Sequence, residues 1–162
     1  AAALEPPLTD FGNEVAKFDL GKPHDVGKLS RNFDLLWRKM FELSNTRPVF
    51  IAPELLYQTM ERDRLGIPTG YTYIPEEYFY RILPASQQSV YLQLQMKDDP
   101  LRFPADENYY TETIRHQLAL VAADRASYEI VFQHRDLAKA WIAKVRKINP
   151  DFPLPPQLMQ LQ

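Results

Sequence analysis

Cysteine is missing altogether. Disulfides, thiolate catalysis and cysteine-type zinc sites are therefore excluded, while the compartment stays open, since cytoplasm and bacterial periplasm both accommodate such a chain. Glycine is scarce: five in 162 residues, arranged neither as a P-loop nor as a dinucleotide fingerprint. No apolar run approaches the ~20 residues that a membrane span needs. Neither sign of charge dominates. With 19 basic and 21 acidic side chains the net charge is −2, which gives no general pull toward nucleic acid or anionic lipid. No serine stands in a G-x-S-x-G context, and His24, His116 and His134 lie in no metal motif. Nothing in the chain calls for a cofactor.

Proline and glycine are both absent from residues 105–149, with Pro104 and Pro150 at the two ends. Fourteen prolines are spread over the rest of the chain, so this gap marks the helical backbone of the domain. Tyr110, Ile114, Leu118, Val121, Tyr128 and Phe132 follow helical spacing, and Arg125 fills the one place in that row without an apolar residue. Asp106 is the expected N-cap. Acids Glu107 and Glu112 lie near the start, and bases Lys139, Lys144, Arg146 and Lys147 near the end, as a helix dipole prefers. A second row, Leu137, Trp141, Val145 and Ile148, favours two helices, the first ending near Gln133 or His134 and the next starting at about Asp136. One unbroken helix stays open. So does a helix–strand–helix arrangement, because residues 128–132 are rich in β-branched and aromatic side chains.

Residues 1–5 have the look of a vector-derived junction, with a signal-peptidase product as the alternative, and the chain could be a domain cut from a longer protein. Residues 5–22 read as a polar arm with one short helix. From Asp25 to Ser44 the pattern is that of an amphipathic helix capped by Asp25. Residues 48–52 read as a short strand or connector. A helix is expected from Pro53 to about Leu65, stopped by Gly66. Residues 71–74 look extended, and Pro75-Glu76-Glu77 resembles the start of a short helix ended by Pro84. The strongest strand signal is 89–97, which strictly alternates apolar Val90, Leu92, Leu94 and Met96 with Tyr91, Gln93, Gln95 and Lys97. Residues 6–149 are read as one globular domain and 150–162 as a proline-rich tail with two P-x-x-P spacings, more simply a linker or self-packing tail than a docking motif.

Carboxylates cluster at Glu76-Glu77, Asp98-Asp99 and Asp106-Glu107, but neighbours in sequence point apart and do not form an acid/base pair by themselves. The unusual feature is aromatic. Tyr71, Tyr73, Tyr78, Phe79, Tyr80 and Tyr91 crowd one region, with Tyr109 and Tyr110 following. Tyrosine offers large contact area and a hydroxyl suited to a wet edge, as interfaces require. Tyr71, Tyr73, Tyr78, Tyr80 and Tyr91 are therefore the candidate binding residues. Half of them packing inward is the competing account. Stacking on nucleic acid is not expected, since Arg81 is the one base interleaved there.

The fold expected is α+β, mainly helical with a small β-element; an all-α bundle is the alternative. The expected function is a non-catalytic protein–protein interaction domain, a subunit or adaptor of a larger assembly that meets a protein partner or itself, with no membrane contact from this chain. Two rivals remain. One is an enzyme whose histidine acid/base is assembled only in three dimensions, from His116 or His134. The other is a small-ligand sensor with an aromatic pocket. The enzyme reading requires a closed cleft with a histidine and a carboxylate in hydrogen-bond reach; the interaction reading requires exposed aromatics without such a pair.

Overall fold

One polar cap and one left-handed residue set the longest helix among the described residues. Asn108 accepts a hydrogen bond from the Thr111 N–H at 3.0 Å and starts helix α3, Tyr109–Val131 in a chain that begins with α1 (Glu5–Asp19) and α2 (Val26–Leu43). The computed structural model describes residues 5–56, 66–94, 96 and 108–161. The expected cap Asp106 lies outside them. α3 ends in a Schellman motif: the Gln133 N–H donates to the Ile130 carbonyl at 2.9 Å, and the His134 N–H to the Glu129 carbonyl at 2.8 Å. Helix α4 (Arg135–Ile148) follows at once, so the stretch is two helices, and residues 128–131 belong to the first.

Among the described residues the other elements are β1 (Val49–Ile51), β2 (Tyr71–Glu76), β3 (Phe79–Pro84), a 3-10 turn over Ala85–Gln87, and the short α5 (Pro156–Met159). The fold is mainly helical α+β, with one three-stranded antiparallel sheet in the order β1-β3-β2. Residues 53–56 are helical behind Pro53, as expected; the expected continuation to Leu65 lies outside the described residues.

α3 serves two cores. Its small residues Ala119, Ala122, Ala123 and Ala126 meet Trp141, Ile142, Val145 and Ile148 of α4, and Phe152, Leu154 and Leu158 fold back into the same cluster. The proline-rich tail is thus packed against the helical hairpin. Val121, on another side of α3, joins Trp37, Phe41, Ile51, Leu56, Tyr80 and Ile82 in a second core between α2 and the sheet. An aromatic chain enters that core from α1: Phe11, Phe33, Trp37, Phe41 and Tyr71 follow one another at centroid distances of 5.2–6.4 Å.

Three expectations are corrected. Residues 5–22 are no short-helix arm: α1 runs for 15 residues and packs on α2. The buried Glu14 ties them together, taking Lys17 at 2.7 Å, Lys28 at 3.5 Å and the Asp25 N–H at 3.3 Å. Pro75-Glu76-Glu77 does not start a helix. Pro75 ends the body of β2, and Glu77-Tyr78 is the two-residue turn into β3, with Glu77 at φ +59°. Proline fits because its register partner Tyr80 is a non-hydrogen-bonded pair, where the missing N–H would point away from β3. The strand expected over 89–97 is not found among its described residues: 89–94 and 96 join no ladder, despite the alternation, and 95 and 97 lie outside the described residues. Leu92 finds its partners in side chains of α3 instead: its N–H donates to the Tyr128 hydroxyl at 2.8 Å, and its carbonyl accepts from Arg125 at 2.6 Å.

Two stability predictions follow from these local features. Gln133 is exposed, holds φ +65° and shows no side-chain partner, so Gln133→Gly removes a steric cost at a position glycine prefers. It should raise the unfolding free energy by roughly 0.5–1 kcal/mol in urea titrations. The Lys17 hydrogen bond, then the Asp25 N–H, pull the Glu14 carboxyl down from 4.5 to about 2. A depressed acid stabilises the fold fully above its unfolded value and loses that contribution as pH falls toward its folded one. The melting-temperature gap between the parent and Glu14→Gln should therefore be full above pH 4.5 and close toward pH 2.

Candidate functional site

The polar centre of the molecule is the residue that interrupts the apolar row of α3. Arg125 is completely buried, with Glu129 one turn on and 1% exposed. An unpaired charge at such depth would be prohibitive, and all three guanidinium nitrogens are engaged. Nε donates to Glu129 Oε1 at 2.8 Å and Nη2 lies 2.7 Å from the same oxygen. Nη1 donates to the Pro75 carbonyl of β2 at 3.1 Å, and Nη2 to the Leu92 carbonyl at 2.6 Å. The guanidinium stacks 4.5 Å from the Tyr128 ring centre. One side chain thereby joins α3, the sheet and the 91–94 segment.

The other oxygen of Glu129 accepts from the Tyr91 hydroxyl at 2.9 Å and lies 3.1 Å from His134 Nδ1. Tyr91 also packs edge-on against His134, with centroids 4.3 Å apart. Burial, then its bond to the Glu129 carboxylate, raise the Tyr91 hydroxyl above its usual acidity range. A histidine–carboxylate contact of the kind the enzyme reading requires is thus present. Its setting is different from a catalytic cleft. Neither His134 nor Glu129 lines the groove beside them, and Glu129 is already neutralised by Arg125.

That groove, of about 610 Å³, lies between β2 and the last turns of α3. Thr72, Tyr73, Ile74, Ala85, Gln88 and Ser89 form one side, and Tyr128, Val131 and Phe132 the other. None of these side chains carries a charge at neutral pH. Val131 is 76% exposed, unusual for an aliphatic residue next to aromatic walls.

β2 is an edge strand, and its register shows which backbone groups face the groove. Glu76 and Phe79 flank a two-residue turn and so exchange hydrogen bonds. Pairs then alternate, which makes Tyr71, Tyr73 and Pro75 the residues whose N–H and C=O point away from β3. The bond from Arg125 to the Pro75 carbonyl agrees with this. At the other end the Tyr71 N–H donates to the Pro68 carbonyl at 3.1 Å. Between them, Tyr73 presents both backbone groups to the open side.

The five tyrosines singled out from sequence do not converge. Tyr80 is completely buried, its hydroxyl donating to Asp124 at 2.5 Å, and it presents no surface. Tyr73 packs edge-on against Tyr80 at 5.2 Å; burial, then the Asp124 charge, raise its hydroxyl pKa. Tyr71 packs edge-on against Phe41 and accepts from Asn45 at 3.2 Å. Tyr78 lies under Lys144, whose ammonium is 4.9 Å from its ring centre, and Tyr91 belongs to the Glu129 network. Of the five, only Tyr73 lines the groove at α3. Val131 and Phe132, absent from that set, form its far wall; a run of aromatic and β-branched residues at a helix end was the available signal.

The histidines do not share a site. His116 leans on Phe152 at 5.1 Å, while His134 lies past the C-terminal end of α3, whose rise from residue 116 to residue 131 alone is roughly 22 Å. Among the described residues, no three His, Cys, Asp or Glu side chains converge as a metal would need. No helix among them is long and apolar enough to cross a membrane. Comparison with family models, curated proteins and solved structures returns no match for this chain.

Arg125→Met leaves Glu129 charged and buried without its counter-ion, which should cost about 3–5 kcal/mol in urea unfolding. Removing both charges, as Arg125→Met with Glu129→Met, should be milder than the single change, because no orphaned charge remains. A single variant as stable as the parent would show that the pair is dispensable.

Proposed function

We propose that this chain is a non-catalytic protein–protein interaction domain, a subunit or adaptor of a larger assembly. One observation carries the reading: the uncharged groove between β2 and α3, walled by Tyr73, Tyr128 and Phe132 and open at the strongly exposed Val131. Burying such a wall against a partner removes apolar surface from water, worth about 25 cal/mol per Å² before the costs of association. Tyrosine is among the residue types that concentrate such energy, and phenylalanine is enriched at interfaces. The tyrosine-rich region contributes through Tyr73, while Tyr71 and Tyr78 sit at other surfaces and Tyr80 supports from below.

The enzyme reading has one observation in its favour, the 3.1 Å contact between His134 and Glu129. The contact has a structural account. Together with Arg125 and Tyr91 it fastens the 91–94 segment to the end of α3, so the pair whose absence the interaction reading expected is present, in a structural setting away from the groove.

Selection of a random twelve-residue peptide library displayed on phage tests the proposal. Peptides enriched on the parent domain should be rich in apolar and aromatic residues and should bind Val131→Glu at least about tenfold more weakly. Val131 is a helix-surface position, so its replacement should leave the far-ultraviolet circular dichroism and melting temperature nearly unchanged. Enrichment of no peptide family, or of families indifferent to Val131→Glu and to Phe132→Ser, would overturn it.

A further inference from the structure

We infer that the groove binds its partner as an added β-strand: an extended, uncharged polypeptide segment pairs with Tyr73 on the free edge of β2 while its side chains rest on Tyr128, Val131 and Phe132. The inference rests on the interaction reading above and specifies how that same site is used.

The occupant is identified by the chemistry of the edge. An edge strand is open to pairing unless it is blunted, and most of β2 is blunted. Pro75 has no N–H to offer, and its carbonyl is taken by Arg125. The Tyr71 N–H is taken by the turn at Pro68. Tyr73 alone, of the three outward residues, keeps both an N–H and a C=O directed to the groove side. A donor and an acceptor on one residue, spaced as in a β-bridge, match the two groups of one residue on another extended chain. A small molecule with apolar bulk would fill the wall but leave that pair to water. The absence of charged lining residues adds a second selection: charged side chains on the occupant would be desolvated without compensation.

The opposite wall fixes the reach. α3 runs alongside β2 and is held there by Arg125, so Tyr128 and Phe132 stand a fixed distance from the edge. A strand entering here meets backbone on one side and aromatic rings on the other. One two-bond bridge is a short pairing, so affinity depends on the apolar wall and register depends on Tyr73. The surface is thus selective for segment shape before sequence.

The probe is a peptide selected on the parent domain as above, made with single N-methyl groups along its backbone. In a single two-bond bridge, one peptide N–H donates to the Tyr73 carbonyl. Methylation at that one position should therefore weaken binding about tenfold, with the other positions tolerant. Hydrogen exchange by NMR should show the Tyr73 amide slowed about tenfold or more in the complex, with the Ile74 amide, already in the ladder to β3, little changed. Binding that needs Val131 but tolerates every N-methyl group and leaves the Tyr73 amide unprotected would overturn strand addition and leave the interaction reading standing. Peptides whose binding ignores Val131→Glu and Phe132→Ser, or no peptides at all, would overturn both.

Discussion

The end of α3 is organised around one guanidinium with all three nitrogens engaged. Arg125 is buried as deeply as any aliphatic residue in the protein, and only the joint presence of Glu129, the Pro75 and Leu92 carbonyls and the Tyr128 ring makes that tolerable. A hydrophobic residue there could pack equally well, but it could not hold two backbone carbonyls from distant parts of the chain. The ion pair is therefore better understood as a device of geometry than as a source of net stability. It sets the sheet edge and the 91–94 segment at fixed places against one helix.

The neighbouring residues extend the same logic. Glu129 has two oxygens: Arg125 occupies one, and Tyr91 and His134 share the other. His134 is also the residue whose N–H closes the Schellman turn onto the Glu129 carbonyl. The usual apolar contact that seals such a turn is here a polar one between the same two positions. The stop of α3, the start of α4 and the docking of residues 91–94 thus share a single carboxylate. Below this point the alanines let α4 approach closely, and Val121 reaches the other core. α3 has apolar contacts on more than one side, as a helix between two cores must.

Much of the framework could be read from sequence. The proline- and glycine-free stretch, the N-cap of α2 by Asp25, the short strand at 49–51 and the extended 71–74 segment all rest on local rules, and local rules suffice for elements of that kind. The failures have a common physical origin. Counting large apolar residues on α3 picked out Tyr110 and Ile114, which are exposed, and passed over the alanines that are buried. Alanine is ambiguous by itself, because its burial depends on how closely another helix comes. Residues 91–94 alternate like a strand, yet their partners are an arginine and a tyrosine thirty-odd positions away, which no periodicity encodes. β3 was hidden because proline at 75 and 84 suggested helix punctuation, whereas both sit at register positions that need no N–H. Arg125 was visible as an interruption in an apolar row, with an acid four residues on. An i, i+4 pair of opposite charges inside an apolar face is the pattern that could have located the polar centre.

The same constraint shapes the surface from which function is proposed. A sheet edge this small could have been closed entirely, by one more strand or by a longer helix. Instead Arg125 and Pro75 close one end, the Pro68 turn closes the other, and Tyr73 is left between them facing Tyr128 and Phe132. Blunting on both sides of a single open position keeps the edge from pairing along its whole length, which protects against edge-to-edge aggregation. It also means that any pairing made there must bring its own apolar contacts to α3. The clamp that stabilises the geometry of the core is, on this reading, also what makes the edge selective.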